Sequence, residues 1–563
     1  MNLLEERWIP IRRASGGVER IAPHEITERI DTDPVVALDA PRPDFNGALI
    51  QFLIGLVQTA WVRANRVWDR DEMLWSPPAP EELKRMFAPL KEAFHLDGDG
   101  PRFMQDLTLS SNDRPARNDI SALLIDFPGT QAIEKNADHF VKRSSGGAFC
   151  PHCAAAALFC LMTNAPSGGA GHRTSLRGGG PLTTLVAYVP VTSAHPPSAL
   201  WRDVACNVLE GAAFAGRRSA RFGLPDIFPW LRSIDRTTGK SGEVQPLDVS
   251  PLQVYWAMPR RIRLLFDRGG PIDCALCGRA TAELIEHYDT KNYGLNYKGP
   301  WRHPLSPYYR SKPTEPFLPV HPQPDGMAYR HWLGWVLGVK RPGREVVPAE
   351  VVQAFHSTRV EPGQLRLWAF GYDMDNMKAR CWYETTFPLF DLARDRASSV
   401  DATDALVDIV DRLITAAESV AQFVRFAVRD AWLGGGELRG DLGFVEANFW
   451  SSTQQAFFAA VGQAIAMVRR HGRDAFDQTA SLRSDWLEVL RRSALHLFDE
   501  LAASGNLEAG NPTRLAAAYR SLRLQLYGRK LQETLGLIAV DQGAAAGTPR
   551  QRRRKAHASG ETT

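Results

Sequence analysis

Two pairs of cysteines have the spacing that lets two thiolates reach one metal ion. Cys150 and Cys153 form the first C-x-x-C pair, and Cys274 and Cys277 form the second. Two such pairs can complete one tetrahedral four-cysteine site for Zn²⁺. Thioredoxin-like redox pairs share this spacing, but neither pair here opens a βαβ unit. The sequence therefore predicts one structural zinc ion shared by both pairs, and a chance pairing of buried thiols is the alternative.

Two glycine-rich segments follow the first cysteine pair. Residues 167–171 read Ser-Gly-Gly-Ala-Gly, and residues 177–180 read Arg-Gly-Gly-Gly. Glycine permits positive φ and close approach of the backbone to a bulky group. Because His172, Arg173 and Arg177 lie among these glycines, we interpret that group as a phosphate backbone. A flexible surface loop is the alternative, and the sequence has no G-x-x-x-x-G-K-[ST] motif for ATP.

Composition and charge indicate an ordinary globular protein with more than one domain. The chain has 563 residues, of which 44% are hydrophobic and 23% charged. A formal net charge of +4 is too small to predict nucleic-acid binding by itself, so such a surface must come from local clusters. The sequence shows no signal peptide and no apolar run approaching about 20 residues, and its seven cysteines fit a reducing compartment. We expect a cytoplasmic protein.

Hydrophobic periodicity predicts a mixed first part of the chain. Residues 8–21 have the pattern of a β-hairpin around Ser-Gly-Gly, and residues 46–65 have the spacing of a core helix. A second helix is predicted over 81–95. From 181 to 400, β-like runs such as 184–189 alternate with helices and loops, which favours one irregular α/β domain over residues 1–400.

The pattern changes to long helices after residue 400. Apolar residues recur at spacings of three and four in four segments between 401 and 540, which predicts a four-helix bundle. Residues 541–563 are polar and basic, which predicts a disordered tail whose basic run either contacts nucleic acid or is simply solvated. The predicted fold class is mixed α+β, with an irregular N-terminal α/β domain, a zinc knuckle and a C-terminal four-helix bundle.

Several motifs occur in an order that resembles a known family. In chain order they are Asn2-Leu3-Leu4, Trp8-Ile9-Pro10, the first cysteine pair, Ala165-Pro166-Ser167-Gly168-Gly169, Ser175-Leu176-Arg177-Gly178-Gly179, Pro181-Leu182-Thr183-Thr184, the second cysteine pair and the segment 301–307, Trp-Arg-His-Pro-Leu-Ser-Pro. Together they resemble the large subunit, or CasA family, of the type I-E CRISPR surveillance complex Cascade. The resemblance runs from residue 1 into the helical bundle, and it depends on these motifs occurring together in this order.

The resemblance implies a DNA-binding subunit without catalysis of its own. In that family the N-terminal domain recognises a protospacer-adjacent motif in double-stranded DNA, a wedge parts the strands beside it, and the bundle contacts the displaced strand. The implied partners are other Cascade subunits with bound CRISPR RNA, the target DNA, and a helicase-nuclease recruited after R-loop formation. In that family, base pairing with the guide RNA recognises the target sequence beyond the motif.

The resemblance also implies DNA-binding residues in four places. They are Ser167, Gly168, Gly169, Ala170 and Gly171 in a glycine loop with Arg173 nearby, Lys291 and Asn292 at a lysine finger, Asp375 and Asn376 at the wedge, and Phe140, Lys142 and Arg143 in the loop before the first cysteine pair. Lys298 is the alternative finger. Asn376 stands where a glutamine is customary, and an ordinary exposed turn is the alternative for the wedge. Phe140 is expected to stack on a base or to anchor a partner subunit, or else to cover its own core.

Other interpretations of the sequence stay open. The arginine clusters 217–221 and 260–263 fit either a DNA path or solvated faces. A zinc-dependent hydrolase or nuclease would use His152 or His172 beside a zinc ion with an open position. Four thiolates close the coordination shell and no H-E-x-x-H motif is present, which disfavours that chemistry. A purely structural scaffold subunit is the third class.

Overall fold

The structure is a computed structural model that describes most of the chain. The described residues are 1–64, 70–109, 114–128, 147–189, 199–211, 222–233, 242–324, 326–355, 365–375, 378–390, 400–433, 442–503 and 511–539. The predictions for Phe140, Lys142, Arg143 and Asn376, for the cluster 217–221 and for the tail 541–563 lie outside these residues.

Helices occur throughout the described chain and become long after residue 400. The helices are α1 (Pro43–Ala64), α2 (Arg70–Trp75), α3 (Pro80–Phe87), α4 (Pro151–Asn164), α5 (Leu200–Cys206), α6 (Leu224–Ile227), α7 (Trp332–Val336), α8 (Glu350–Phe355), α9 (Val400–Leu433), α10 (Gly443–His471), α11 (Ala475–Gln478), α12 (Ala480–Phe498), α13 (Pro512–Leu526) and α14 (Arg529–Thr534). Short 3-10 helices include Ala88–Phe94, and the π-helical turn Asp499–Ala503 follows α12.

The strands of the described residues all precede residue 400. They are β1 (Ile9–Arg13), β2 (Val18–Ile21), β3 (Val35–Leu38), β4 (Ala116–Asp119), β5 (Thr183–Tyr188), β6 (Glu243–Val244), β7 (Arg261–Asp273), β8 (Ala280–Lys291), β9 (Asn296–Tyr297), β10 (Tyr308–Arg310), β11 (Leu318–Pro319), β12 (Val339–Arg341), β13 (Arg344–Val347), β14 (Leu365–Asp375) and β15 (Lys378–Pro388). The predicted mixed α+β class is confirmed. The predicted hairpin is also confirmed, because β1 and β2 pair antiparallel with Ile9 opposite Ile21.

The strands of the described residues form five small sheets. Their strand orders are β2-β1-β3, β11-β10-β13-β12, β15-β14-β5, β4-β8-β7 and β6-β9. Two long antiparallel hairpins, β7–β8 and β14–β15, dominate the strand pairing and carry most of the residues discussed below. Both hairpins belong to the first of two compact units, Met1–Val407 and Asp408–Thr563.

The core of the first unit is built around α1. Phe52 on this helix makes edge contacts with Trp8 (ring centroids 5.3 Å apart), Phe159 (5.6 Å) and Trp256 (5.8 Å). Edge-to-face packing of this kind adds to the free energy of apolar burial. By length and composition α1 is apolar enough to cross a membrane, but 89% of its most apolar window is buried inside the protein. Its apolar character therefore matches its place in the core.

Two predicted helices are interrupted at identifiable residues. The single helix predicted over 81–95 is wrong, since α3 ends at Phe87 and a 3-10 helix follows. Pro89 explains the break, because proline removes a backbone donor from a helix. The last helical segment is likewise divided into α13 and α14 around Gly528, whose backbone is extended.

The helices of the second unit are joined through their backbone carbonyls and a buried ring. Trp486 on α12 donates its indole N–H to the Leu413 carbonyl of α9 at 3.0 Å and packs on Phe457 of α10 at 5.9 Å between centroids. Arg514 of α13 donates to the Ala431 carbonyl of α9 at 2.9 Å. These contacts connect the four long helices of the described part of this unit, consistent with bundle packing.

A buried arginine closes the end of this unit. Arg483, which is 1% exposed, donates to the carbonyls of Leu535 and Gly536, and its guanidinium lies 3.8 Å from the Phe476 ring centroid. Burial lowers the pKa of Arg483, and nearby Arg412 adds to the effect. The carbonyl acceptors and the ring compensate for the lost hydration of the guanidinium.

We expect residues 400–540, expressed alone, to fold as a helical unit, because the contacts described above come from its own helices. Trp486→Ala should destabilise this fragment by about 3 to 5 kcal/mol, since it removes a fully buried ring. Leu524→Ala, at a residue that is 69% exposed, should change stability by less than about 0.5 kcal/mol. Thermal unfolding followed by far-UV circular dichroism measures both effects, and a fragment without helical signal would contradict the prediction.

Candidate functional site

The four cysteines of the two predicted pairs lie together. Their sulfur atoms are all within 4.8 Å of one another, and the Cys150 and Cys277 sulfurs are 3.8 Å apart. A tetrahedron with Zn–S bonds of about 2.3 Å has sulfur–sulfur edges of about 3.8 Å. Cys150, Cys153 and Cys274 are buried and Cys277 is half-buried. The cluster can therefore hold a metal ion with four sulfur ligands.

The first cysteine pair forms the start of helix α4. Cys150 is the N-cap residue, and its sulfur accepts the backbone N–H of Cys153 at 3.5 Å. Pro151 occupies the first helical position, where its missing N–H costs nothing. The helix thus directs both sulfurs toward the same side of its first turn.

The second pair lies in the turn between β7 and β8. The Cys274 N–H donates to the Arg279 carbonyl, and the Gly278 N–H donates to the Cys274 carbonyl, both at 2.9 Å. Gly278 has φ of +67°, a conformation that glycine adopts without steric cost. The Ala275 N–H also donates to the Ala148 carbonyl at 3.0 Å. The two cysteine segments are therefore joined by a backbone hydrogen bond in addition to the contacts between their sulfur atoms.

Hydrogen bonds to the sulfurs favour the thiolate form of the second pair. Interactions with the Cys150 and Cys153 thiols lower the pKa of Cys274 well below its ordinary value. The pKa of Cys277 is lowered to about 6, chiefly by its hydrogen bond with Cys153. Arg20 on β2 also donates to the Cys277 sulfur at 3.4 Å. The hydrogen bond with Cys150 raises the pKa of Cys153, so only the second pair favours the thiolate, which is the form of cysteine that binds a metal.

His152 is not among the residues whose ligand atoms converge at the sulfur cluster. Its Nδ1 atom lies 3.5 Å from a guanidinium nitrogen of Arg279. Burial and the nearby Arg20 guanidinium lower the pKa of His152 to about 4. The hydrolase alternative placed this histidine beside the metal, and the geometry does not support that assignment.

The glycine loop 167–171 is attached to the end of β8. The Asn292 side-chain amide donates to the Ala170 carbonyl at 2.8 Å, and the Tyr293 N–H donates to the Gly171 carbonyl at 2.8 Å. Gly171 has φ of +81°, and a Cβ there would lie 2.8 Å from the Asn292 Cβ. The close approach that this glycine permits is therefore to the protein itself.

The outer side of the loop faces solvent. Ser167, Gly169 and Ala170 are exposed, and Gly168 is half-buried against the His172 ring. Arg173 lies with its guanidinium 5.6 Å from the Tyr293 ring centroid. The loop thus has an exposed backbone on its outer side, while side-chain and backbone hydrogen bonds hold its inner side.

Lys291 and Asn292 lie where β8 meets this loop. Both are exposed, and Lys291 is the last residue of β8, opposite Arg261 of β7. Lys298 is also exposed and follows β9, where its N–H donates to the Val244 carbonyl at 3.0 Å. The structure therefore brings Lys291 and Asn292 to the glycine loop through the Asn292 hydrogen bond.

Arg177 has a structural role, so its interpretation as a phosphate contact is wrong. Only 3% of this residue is exposed, and its guanidinium donates to Thr183 at 3.0 Å, to Ser306 at 2.9 Å and to Gln51 at 2.5 Å. Burial lowers the pKa of Arg177 to about 10. Acceptors from three separate parts of the chain hold this side chain in the core.

The cluster 260–263 is also structural. Arg261 is 6% exposed and pairs with the buried carboxylate of Asp106 at 2.5 Å, and Arg263 donates to the Leu109 carbonyl at 3.1 Å. Arg260 donates to the Pro166 carbonyl at 2.5 Å, directly before the glycine loop. Neither a DNA path nor a solvated face describes this cluster, and Arg260 helps to hold the loop.

The predicted wedge is the end of the β14–β15 hairpin. Asp375 is exposed and pairs in register with Lys378 across the turn. Arg380 donates to both carboxylate oxygens of Asp373 at 2.8 Å and lies 3.9 Å from the Asp375 carboxylate. These interactions stiffen the two strands close to the turn.

A buried polar network holds the base of this hairpin. The Tyr372 hydroxyl donates to the Asp44 carboxylate at 2.7 Å, and Arg42 donates to the same carboxylate at 2.9 Å. Arg42 also reaches Asp126 at 2.7 Å, and the Cys160 thiol of α4 donates to Asp44 at 3.6 Å. Sequence reasoning missed Asp44, although an acidic residue in the first turn of α1 was a visible signal.

The glycine run 178–180 connects the loop to the hairpin. A Cβ at Gly179 would lie 2.9 Å from Pro166 Cα, and one at Gly180 would lie 2.8 Å from the Tyr372 Cβ. Gly180 has φ of +61°. The glycine loop, Asn292 and the base of the hairpin therefore form one contiguous region, and the sulfur cluster lies at the far end of the β7–β8 hairpin that leads to Asn292.

Comparison with known proteins gives a consistent result. The family model described as CRISPR-associated protein Cse1 matches residues 2–497. The fold is similar to CasA of Thermus thermophilus, at 16% identity and a TM-score of 0.63, over 93% of this chain and 99% of that chain. It is similar to Cse1 of Thermobifida fusca at 15% identity and a TM-score of 0.62, over 95% and 98%.

A chain of a CRISPR RNA-guided surveillance complex is also similar, at 14% identity and a TM-score of 0.59, over 94% of this chain and 99% of that one. Identities this low show a shared fold, whereas the family match spans most of the sequence. The resemblance to the CasA family that the motifs indicated is confirmed. This chain belongs to the CRISPR-associated protein Cse1 family.

Proposed function

We propose that this chain is a non-catalytic subunit of a cytoplasmic CRISPR RNA-guided surveillance complex in antiviral defence. Its task is to recognise a protospacer-adjacent motif in double-stranded DNA, to help open the duplex and form the R-loop, and to support recruitment of a helicase-nuclease. Its partners are other Cascade subunits with bound CRISPR RNA. The observation that carries the proposal is the exposed glycine loop fastened to Asn292 beside the exposed Lys291.

The glycine loop supplies backbone contact to DNA. Gly169 and Ala170 are exposed, and a side chain at Gly169 would meet no atom within 4 Å. Ser167 and Gly168 precede this exposed backbone, and Gly171 anchors its end. Because hydrogen bonds from Asn292 and Tyr293 already hold the loop, it loses little conformational entropy when it binds DNA.

The lysine finger is Lys291. It lies beside the loop, and a cation at this place can bind a phosphate or the edge of a base. Asn292 fixes the loop rather than reading DNA, since its amide donates to the Ala170 carbonyl. Arg173, packed on Tyr293, adds positive charge to the same surface.

The hairpin is the strand-separating wedge. Asp375 ends β14, Asn376 follows it in the sequence, and the network of Tyr372 with Asp44 resists displacement of the hairpin base. Opening the first base pair costs a few kcal/mol, so a rigid wedge that occupies the gap is needed. Phe140, Lys142 and Arg143, which lie outside the described residues, contact nucleic acid or a partner subunit in this proposal.

The metal of the sulfur cluster is Zn²⁺ with a structural role. When bound, the ion closes a shell of four thiolates and cross-links the start of α4 to the β7–β8 turn. The glycine loop follows α4 and Lys291 ends β8, so the cross-link fixes the two elements that carry the DNA contacts. A hydrolase or nuclease would need an open coordination position, which four sulfur ligands leave no room for.

A purely structural scaffold subunit is the competing function, and Lys291→Ala separates the two. If Lys291 reads the motif-proximal duplex, this change should weaken duplex binding by the assembled complex about 5- to 150-fold. Lys298→Ala is the matched control, a lysine that follows a different strand, and it should have little effect. Titration with duplexes that carry or lack the motif measures the effect. Equal binding by both variants and the wild type would favour the scaffold.

Asn376→Ala should impair strand opening more than initial binding. A target already unpaired beside the motif should restore most of the lost binding, because the variant no longer has to open the first base pair. Asn376→Gln restores the customary longer amide and should open the duplex at least as well as the wild type. Permanganate footprinting of the duplex measures opening, and titration of both targets measures binding; an equal binding defect on both targets would remove Asn376 from the wedge.

Cys274→Ser should lower the zinc content of the purified protein and destabilise the first unit, because structural zinc contributes folding free energy directly. Cys381→Ser is the matched control, a half-buried cysteine of β15 outside the cluster, and it should leave zinc bound. Elemental analysis together with thermal unfolding tests both variants. Full zinc occupancy in Cys274→Ser would rule out the shared site.

A further inference from the structure

A cleft of about 380 Å³ lies in the first unit, outside the surface discussed so far. Its floor is one face of the sheet β11-β10-β13-β12, and its walls are His331 and Trp335 at α7 together with residues 320–323 and 326–327. A volume of this size is typical of sites for small organic ligands. The cleft is therefore large enough for one nucleotide.

The floor combines an aromatic ring with a cation. Tyr309 of β10 is opposite Val346 of β13, so both side chains lie on the same face of the sheet. Arg344 is two residues from Val346 and shares that face, because side chains alternate along a strand. Tyr309 is 37% exposed and Arg344 is also exposed, so both are accessible from the cleft.

One wall is a pair of stacked rings. The His331 and Trp335 rings are 5.0 Å apart between centroids and 12° from parallel. Both residues line the cleft, and Met327 lies beside them. Trp335 is only 4% exposed and its face is covered by His331, so the half-buried His331 is the ring of this pair on which a base can stack.

The charge of the cleft selects the class of ligand. Arg344 lines it with His321 and His331, and burial lowers the pKa of His321, so the permanent positive charge comes from Arg344. Among the described residues of the lining there is no aspartate or glutamate. Ser311 and Gln323 add hydroxyl and amide groups. A ligand with a flat ring and a phosphate fits this combination, whereas a cationic ligand does not.

The cleft is packed against the wedge hairpin. A Cβ at Gly371 of β14 would lie 3.0 Å from Pro322, and the Tyr383 hydroxyl of β15 donates to the Pro324 carbonyl at 2.7 Å. Gly371 and Tyr383 form one rung of the hairpin, and Asp375 is four residues further along β14, or about 13 Å away.

We propose that this cleft binds a single nucleotide that loses its pairing partner when the duplex opens at the wedge. Its base stacks between Tyr309 and His331, which is backed by Trp335, and Arg344 binds its phosphate. About 13 Å is the length of about four stacked nucleotides, so the bound nucleotide lies within the first four unpaired positions. This inference rests on the proposed function and adds a binding site to it.

The test uses the assembled complex and targets that carry 2-aminopurine at each of the first four unpaired positions of either strand. In the wild type, we expect fluorescence at one position to be quenched by stacking. Tyr309→Ala should restore that fluorescence, and it should weaken target binding about 5-fold or more. Arg344→Ala should also weaken binding, and Tyr309→Phe, which keeps the ring, should retain the quenching.

Lys340→Ala is the charge control for Arg344→Ala. Lys340 is an exposed cation on β12 opposite Glu345, on the other face of the sheet, and its loss should change neither fluorescence nor binding. Circular dichroism of each variant confirms folding. If Tyr309→Ala and Arg344→Ala are folded and leave quenching and binding unchanged while the wild type opens motif-bearing duplex, the cleft proposal is overturned and the proposed function stands.

Two further outcomes separate the remaining possibilities. Hydrogen exchange of residues 308–310 and 344–347 should slow only when target DNA is added. Slowing on complex assembly before DNA is added would overturn the proposal in favour of a peptide from a partner subunit. Failure of the wild-type complex to open any motif-bearing duplex would overturn the proposed function itself, and the cleft proposal with it.

Discussion

The convergence of four sulfur atoms is the constraint on which the candidate site depends. Cys150 and Cys153 begin α4, whereas Cys274 and Cys277 form the turn of a long hairpin, so the two segments are distant along the chain. Joining them sets the direction of β8, whose other end leads to Asn292 next to the glycine loop. The loop in turn leaves the far end of α4. The helix α4 and the strand β8 therefore both start near the sulfur cluster, and their other ends meet again at the glycine loop.

A second anchor fixes the other half of the site. Asp44 is 1% exposed, and it accepts hydrogen bonds from Arg42 and from the Tyr372 hydroxyl. A buried carboxylate is stable only when it is paired and hydrogen-bonded, so this network is strongly dependent on each of its members. It ties the base of the hairpin to the first turn of α1 and to α4. The loop and the hairpin are thus oriented by the same two helices.

The parts of this structure that could be predicted from the sequence are those governed by local spacing. The cysteine pairs, the β1–β2 hairpin and the long helices after residue 400 each follow from short-range patterns. Arg177 could not be assigned in this way, because its burial depends on Gln51 and Ser306, which come from other elements. Arginine beside glycine suggests a surface loop, and only the tertiary packing shows that the guanidinium lies inside the core. The break at Pro89 was visible in the sequence but was outweighed by the apolar periodicity around it.

Some positions of the glycine loop fix it to the protein and others form its exposed surface, so the two sets tolerate substitution differently. Gly171 is constrained by its contact with Asn292, and a larger residue there would disturb the fold. At Gly169 a side chain would meet no atom within 4 Å, and Ala170 is exposed. Substitutions at these two positions cost little stability, so they can accumulate. The exposed part of the loop can therefore vary in sequence while the contacts beneath it stay the same, so what this surface binds can change without a change of fold.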